Sequence, residues 1–574
     1  MPELVLLHPP SIYDFREKIV MLGPISGVIP SSPIFEAYPI GFISILNYLQ
    51  SHGYKVRILN LALKMLANRR FNAEKAIKSL SPLAFGIDLH WLAHVQGALE
   101  LTKIVKKWHP DTSVILGGLS ATYFHTEIMK EYPQVNYIVR GDSAEEPLLR
   151  LMERIERGKQ PDDVPNITWR SPDNKIRMND VTFVPENLDD YTLDYGVLIK
   201  SAARDLDPEG YLQYPDWFKY PLAALLTSKG CIYNCVTCGG SRHAYAKSCA
   251  RSKMALKDPV RLVEEMRIIE DYVKGPIFLL NDIRMGGADH VQKLLDEIRR
   301  EKVDNPLIIE LFEPADRKFL EDVAKACSEA SLEISPESHS EQVRRSFGRA
   351  YSNNELEKTL ADAGELGYKR IDVFFMIGLP YQDRESVLKT VQYAEALIGR
   401  HESQGRLHPF IAPLAPFLDP GSLAFENPNL YGYQLFFNSI AEHKKALEGP
   451  SWKYFLNYQT SWMCRDEIVS STYDAAALLN EARAKYGLVD EKDAHRLAER
   501  LNLARIVTEK TDETMKNRDE LVRNERISAL RQEIEAANGA ILCHRDELLK
   551  WPLKSNIDVR LRIAYALIKH CLGR

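Results

Sequence analysis

The chain has no hydrophobic run long enough to cross a bilayer. Nowhere in its 574 residues do roughly 18–20 apolar residues follow one another uninterrupted, so no membrane span is expected. The opening Met1-Pro-Glu-Leu-Val-Leu-Leu-His-Pro-Pro lacks the basic segment and cleavage site of a signal peptide and reads as a strand beginning a domain. Charge of one sign is scarce too: a formal net charge of −5 gives no electrostatic case for nucleic acid. Eight cysteines are too few for a disulfide framework in so long a chain. A reducing, cytoplasmic setting is expected, where clustered cysteines signal metal or catalysis. Internal repeats and low-complexity tracts are missing. What remains is ordinary globular material, 45% hydrophobic and 27% charged, ample for large cores.

Residues 1–160 alternate strand and helix. Apolar runs at Leu4–Leu7, Leu83-Ala-Phe-Gly-Ile, Ser113-Val-Ile-Leu-Gly-Gly and Asn136-Tyr-Ile-Val-Arg-Gly are separated by helical periodicity at Ile40–His52, Ala98–Trp108 and Glu145–Ile155. This predicts an α/β domain with a doubly wound parallel sheet, its ligand outside the carboxyl ends of the strands. Residues 161–220, rich in Pro, Asp, Asn and Gly, read as a linker with short irregular strands. From 221 to 425 the alternation resumes. Strands are expected at Ala223–Thr227, Pro276–Asn281, Leu307–Phe312, Leu332–Ser335, Arg370–Met376 and near Pro409–Pro413, which implies a partial (β/α)6 barrel of the TIM type. Residues 426–574 read as a mostly helical domain, with one charged amphipathic helix over Thr511–Asn538.

The chemistry-bearing feature is Cys231-Ile-Tyr-Asn-Cys235-Val-Thr-Cys238, in the loop after the first barrel strand. Three thiolates this close suit three corners of a [4Fe–4S] cluster, leaving one iron open. A zinc site with His243 as fourth ligand competes, although structural zinc usually draws on two short ligand clusters. The other cysteines, Cys249, Cys327, Cys464, Cys543 and Cys571, are scattered and form no second site.

The run resembles the C-x3-C-x2-C loop of the radical S-adenosylmethionine (SAM) enzymes, with further resemblances downstream in the same order. Asn281-Asp282 ends the second barrel strand, Ser335-Pro-Glu337-Ser338 ends the fourth, and Gly378-Leu-Pro380 resembles the family's G-L-P turn. The resemblance implies that Asn281 and Asp282 meet the SAM amine, that Ser335 and Glu337 meet its ribose or carboxylate, and that Gly378 and Pro380 belong to the same site. Thr237 departs from the pattern, since the family often has an aromatic residue there. The open iron would chelate SAM, and one electron would release a 5′-deoxyadenosyl radical able to take hydrogen from unactivated carbon. A reducing electron donor is therefore implied. Which residues act on the substrate itself is not readable from the sequence.

The N-terminal third resembles the cobalamin-binding domain of one radical SAM branch. The residues that carry this are Pro9-Pro10, Tyr38-Pro39-Ile-Gly41, Gly53-Tyr-Lys-Val, Gly117-Gly118-Leu-Ser120-Ala-Thr122 and Arg140-Gly141-Asp-Ser-Ala-Glu145. The glycines allow backbone close to a large flat ligand, and Ser120 and Thr122 are expected to hydrogen-bond its tail. Any flavodoxin-like domain with a Gly-rich turn, binding a nucleotide or nothing, is the bland alternative. Asp88-Leu-His90-Trp-Leu-Ala93 comes close to the D-x-H-x-x-G cobalt motif but ends in Ala and follows the third strand. His90 is therefore expected to be packed or hydrogen-bonded and not to ligate cobalt.

Together the resemblances imply a cobalamin-dependent radical SAM C-methyltransferase, using SAM, cobalamin and the cluster. The layout is similar to the methanogen enzymes that C-methylate residues of methyl-coenzyme M reductase, which would make a glutamine residue of that protein the substrate. Cyclisation, rearrangement or C–C bond formation on a small molecule or lipid is the alternative. The aromatic and polar residues Leu414–Ser422, Trp452, Tyr454, Asn457, Tyr458 and Trp462 either line a peptide groove or seal the barrel.

Overall fold

Two parallel sheets organise the molecule. A computed structural model describes residues 1–23, 32–327, 329–401, 405–414, 416–538, 542–543, 545–551, 553 and 559–572. The first sheet contains β1 (Leu4–His8), β2 (Val56–Asn60), β3 (Ala84–Asp88), β4 (Ser113–Gly117), β5 (Tyr137–Val139), β6 (Ile167–Arg170) and β7 (Ile176–Met178). Its order is 2-1-3-4-5-6-7, with the first five strands parallel and β6 and β7 antiparallel. The 2-1-3-4-5 core is the doubly wound order, whose ligand crevice opens where β1 and β3 diverge. Continuous burial of β1 and β3 fits strands covered by helices on both faces. Residues 167–178, expected as linker, instead extend this sheet, and Tyr195–Arg204 forms a helix capped by Asp194.

The second sheet holds β8 (Ala223–Leu226), β11 (Ile277–Leu280), β12 (Leu307–Leu311), β13 (Ala330–Glu337), β14 (Ile371–Ile377) and β15 (Leu407–Pro413) in sequential order, all parallel. Between the first two of these, β9 (Ser228–Lys229) pairs antiparallel with β10 (Ala255–Leu256) beside the cysteine loop. Helices cross between consecutive strands, among them Ala288–Glu301 and Arg384–Arg400, giving the expected partial barrel. Alternate residues such as Leu307, Ile309 and Leu311 join the main core under the helices, so Glu310 projects to the other side, the lumen. The β13 strand is longer than expected at both ends, and the helix before it is Arg317–Ala326.

After the barrel, β16 (Tyr433–Leu435) and β17 (Tyr458–Thr460) form a small antiparallel pair. The helix Arg465–Lys485 then packs along β15 and the helix Arg384–Arg400. The single helix expected over Thr511–Asn538 is in fact the end of Glu491–Met515 followed by Glu520–Ala529 and Arg531–Ala537. The break falls where the Asp519 carboxylate caps a new helix by accepting the Leu521 N–H at 2.9 Å. Among the described residues no helix is long and apolar enough to cross a membrane.

Candidate active site between the two sheets

The cysteine loop leaves β9 through Gly230 and is held by its own backbone. Cys231 Sγ accepts the Tyr233 N–H at 3.4 Å and Cys238 Sγ accepts the Gly240 N–H at 3.3 Å. The Val236 N–H bonds the Phe347 carbonyl at 2.9 Å, fastening the loop to the helix after β13. Burial pushes all three thiols above their ordinary range. Among the described residues no three His, Cys, Asp or Glu side chains are grouped as for a single metal ion. Three thiolates carried on one loop suit a cubane, which takes its thiolates on separate irons.

Around this loop the sequence-selected residues divide. Asn281 ends β11 at φ +74°, its amide bonding the Ser228 carbonyl at 2.9 Å and its backbone N–H donating to Glu310 Oε2 at 2.7 Å. Glu337 ends β13 at φ +67°, is buried, and lies beside Arg349. Left-handed, non-glycine residues at two strand ends are backbone strain of the kind that gathers at functional sites. Ser335 falls on the lumen side of β13, in alternation with the core residues Leu332 and Ile334. Asp282, expected at the SAM amine, is instead committed to the fold. Its oxygens bind Arg284 Nε at 2.9 Å and Nη2 at 2.6 Å, and accept the Phe312 N–H at 3.0 Å. Gly378 and Pro380 likewise form a turn closed by Gln382 and Tyr433, whose link to the cluster loop is Leu379, packed with Cys235 and Val236.

Sequence reasoning missed several neighbours. Arg349 is buried, stacks over Tyr233 and Phe312, and lies within hydrogen-bonding reach of Cys235. Glu310, Glu333, Asp372 and His408 are register neighbours across β12 to β15 and form one lumen row. Burial, with Asp282 adding to it, pushes Glu310 up to about 7; burial with the charges of Asp372 and Glu310 drives Glu333 well above the carboxylate range. Burial also raises Asp419, which accepts the Gly239 N–H at 2.9 Å beside Cys238, to about 6. No local pattern marks these residues: strand register brings the four of the lumen row together, and loops after a helix and after β15 bring Arg349 and Asp419 to the cysteines.

On the other side, a cavity of about 570 Å³ opens at the carboxyl ends of β1, β3 and β4. Tyr38, Gly41, Gly117, Gly118 and Gly141 line it, together with Asp88, His90, Trp91 and Glu145. Gly118 is at φ +109°, and a Cβ there would stand 2.5 Å from the His90 Cα, so only glycine permits this approach of two loops. Ser120 and Thr122 do not reach the cavity. Ser120 Oγ donates to the His90 carbonyl at 3.0 Å and Thr122 Oγ1 accepts the Gly141 N–H at 3.1 Å, so both shape the loops. The His90 ring makes no hydrogen bond among the described residues and sits edge-on to Trp91. Asp88 is taken by His8 at 2.8 Å; burial works to raise its carboxyl, but the facing His8 holds it below the ordinary range. The cavity's far wall belongs to the barrel: Ala224, Leu226, Phe278, Leu280 and Asn281. Lys229, two residues before Cys231, spans the seam, donating to Ser143 Oγ at 3.1 Å and standing 3.6 Å from Glu145. The buried Arg251–Asp142 ion pair fastens the same seam.

The chemistry of these linings fits the groups the sequence implies. A mostly apolar cleft with glycine approaches and buried acceptors left unpartnered, Glu145 Oε2 and Asp88 Oδ2, suits a broad planar cofactor bearing amide donors. Comparison with known proteins agrees. Residues 31–149 match the B12 binding domain and residues 225–394 the radical SAM superfamily. The chain thus carries both a B12 binding domain and a radical SAM domain, whose cofactors are cobalamin, a [4Fe–4S] cluster and SAM.

Among its relatives is the anaerobic magnesium-protoporphyrin IX monomethyl ester cyclase of Rubrivivax gelatinosus, 26% identical over 44% of this chain and 41% of that one. Another is an uncharacterised methyltransferase of Pyrococcus horikoshii, 24% identical over 56% of this chain and 66% of that one. The chain thus spans only part of the curated relatives it matches. In fold it is similar to the radical SAM methyltransferase TsrM of Kitasatospora setae, solved with cobalamin and a [4Fe–4S] cluster, with a TM-score of 0.58 at 17% identity over 86% of this chain and 90% of that one.

Proposed function

We propose that the protein is a C-methyltransferase acting on an unactivated carbon. The observation that supports this reading is a cavity walled by both domains, which runs from the glycine loops of the first sheet to Lys229 and Asn281 beside the cysteine loop. When bound, the cluster with SAM supplies a hydrogen-abstracting radical and the cobalamin supplies the methyl group. The chain's own residues do the rest. Cys231, Cys235 and Cys238 hold the cluster, and Asn281, Ser335 and Glu337 frame the SAM position, with Arg349 offering a cation beside Cys235 for a carboxylate. Leu226, Phe278 and Leu280 keep water from the space between the centres.

The narrower reading makes the carbon part of a glutamine residue of methyl-coenzyme M reductase; layout alone supports it. The polar and aromatic segment that would have offered a peptide groove is largely interior. Trp452 and Tyr458 are fully buried, Tyr458 donating to the Leu414 carbonyl at 2.5 Å, while Ala415 lies outside the described residues. The similarity to a cyclase favours a second reading, ring closure without methyl transfer. Anaerobic turnover with SAM carrying a CD3 group separates them. Methylation predicts S-adenosylhomocysteine, 5′-deoxyadenosine and a CD3-labelled product, from a glutamine peptide if the narrower reading holds. Deoxyadenosine with an unlabelled, altered substrate would leave only the cyclase-like reading.

A further inference from the structure

The helix Val559–Leu572 is apolar on two opposite sides. On one side Val559 and Ile563 pack on the main core beside the buried Ala566, and the helix lies against Pro259–Tyr272. On the other, Leu561, Tyr565 and Ile568 stand 68%, 69% and 57% exposed. Their i, i+4, i+7 spacing sets them in one stripe along the helix. Every other helix exposes at most one large apolar side chain among the described residues. A second apolar face marks a surface that something covers. The charge around this one is of a single sign. Residues 559–574 contain Arg560, Arg562, Lys569 and Arg574 but no Asp or Glu, in a chain whose net charge is −5. At about 100° per residue, Arg560 and Arg562 leave the helix on either side of Leu561 and so border the stripe. Arg560 is exposed over the Phe218 ring, and the Arg562 Nε has no hydrogen-bond partner among the described residues.

We propose that this stripe seats the protein on an anionic lipid surface, with the helix lying flat and Leu561, Tyr565 and Ile568 dipping into the headgroup layer. Fourteen residues are too short to cross a bilayer, but an apolar stripe bordered by cations is what an interfacial helix presents to acidic headgroups. The long arginine stems let the charges stay at headgroup level while the apolar side chains go deeper. Charge and size set the lipid apart from other occupants. A second copy docking through the same stripe would bring two sets of cations together. Three side chains also fall far short of the area of about 800 Å² per partner that a stable protein interface buries, whereas shallow lipid insertion needs much less. The inference requires neither cofactor and stands apart from the proposed reaction.

The test is co-sedimentation of the full-length protein with two kinds of vesicle, phosphatidylcholine alone and phosphatidylcholine with about 30% phosphatidylglycerol, at low and high salt. The expected result is binding to the anionic vesicles that weakens with salt, and little binding to phosphatidylcholine. The Leu561→Gln/Tyr565→Gln/Ile568→Gln variant should melt as wild type does, since these side chains face outward, and should lose about tenfold or more in apparent affinity. Tyr565→Trp gives a second reading on an otherwise intact helix: its emission should move to the blue on anionic vesicles and be quenched by brominated acyl chains. Undiminished binding of the triple variant would overturn the lipid site. So would Tyr565→Trp emission that vesicles leave unmoved, or a failure of wild type to bind anionic vesicles at low salt. A wild-type dimer in sedimentation velocity that the triple variant loses would also overturn it, assigning the stripe to a second copy.

Discussion

Cys235 is buried in a small apolar group with Val236, Phe347 and Leu379, apart from the main core. Cys235→Ala should therefore leave the barrel folded but cut the iron and sulfide retained after anaerobic reconstitution to a small fraction of wild type, measured by iron and sulfide analysis alongside circular dichroism. Wild-type iron content in that variant would sink the cluster assignment. Glu310 offers a pH test. Its carboxyl rises from 4.5 to about 7 on folding, so the folded state holds its proton more tightly than the unfolded chain. The stability this contributes is complete below pH about 4.5, falls as pH climbs toward 7, and is lost above it. In the cofactor-free protein, Glu310→Gln should flatten the pH dependence of the melting temperature between pH 5 and 7 and raise stability at pH 8. Neither Glu310 nor Arg349 was legible in the sequence. The first gains its meaning from cross-strand register with Glu333, and the second from a helix that returns to the cysteine loop.

Strands and their connecting loops were far more legible. The barrel strands are short apolar runs bounded by Pro, Gly and Asn, and the parallel topology follows from helices lying between them. The glycine pair after β4 was legible for the same reason, since two glycines ending an apolar strand have few structural uses. Its neighbours Ser120 and Thr122 were misread because a hydroxyl near a ligand loop serves backbone as readily as ligand. The break at Asp519 was hidden by a charge pattern that continues through it. Gly118 gives the test for this loop. Gly118→Val forces a branched side chain into a left-handed position against His90, at a cost of about 1–3 kcal/mol in strain. It should abolish hydroxocobalamin binding in equilibrium dialysis. Gly117→Ala, whose Cβ would meet nothing closer than the Val139 carbonyl at 3.9 Å, should fold normally and weaken binding. Wild-type affinity in both variants would remove the cofactor from this cavity.

The three regions are tied into one body from both ends. At the floor of the barrel the Arg370 guanidinium pairs with Asp372, bonds the Glu547 and Lys550 carbonyls, and lies 4.2 Å from the Trp551 ring. Arg483 bonds the Pro409 carbonyl and pairs with Glu547 at 3.0 Å. The C-terminal segment is thus a plug under the lumen. Trp551→Ala should cost the barrel about 3 kcal/mol, read as an earlier urea transition followed by lumen-sensitive fluorescence. An unchanged transition would mean that the plug is dispensable. On the opposite side Tyr123 donates to Glu426 at 2.6 Å and Ile440 N–H to Glu127 at 2.9 Å, joining the cobalamin domain to the residues after the barrel.

Residues 20–22 complete that circuit. Met21 exchanges backbone hydrogen bonds with Pro450 and Trp452, and Asn538 binds both the Val20 carbonyl and the Leu22 N–H. A segment made among the first is therefore hydrogen-bonded by segments made much later. At roughly 5–20 residues per second of synthesis, tens of seconds separate the emergence of the two. For that interval the nascent first domain stands without its closing strap, and the seam that later walls the cobalamin cavity has only one side.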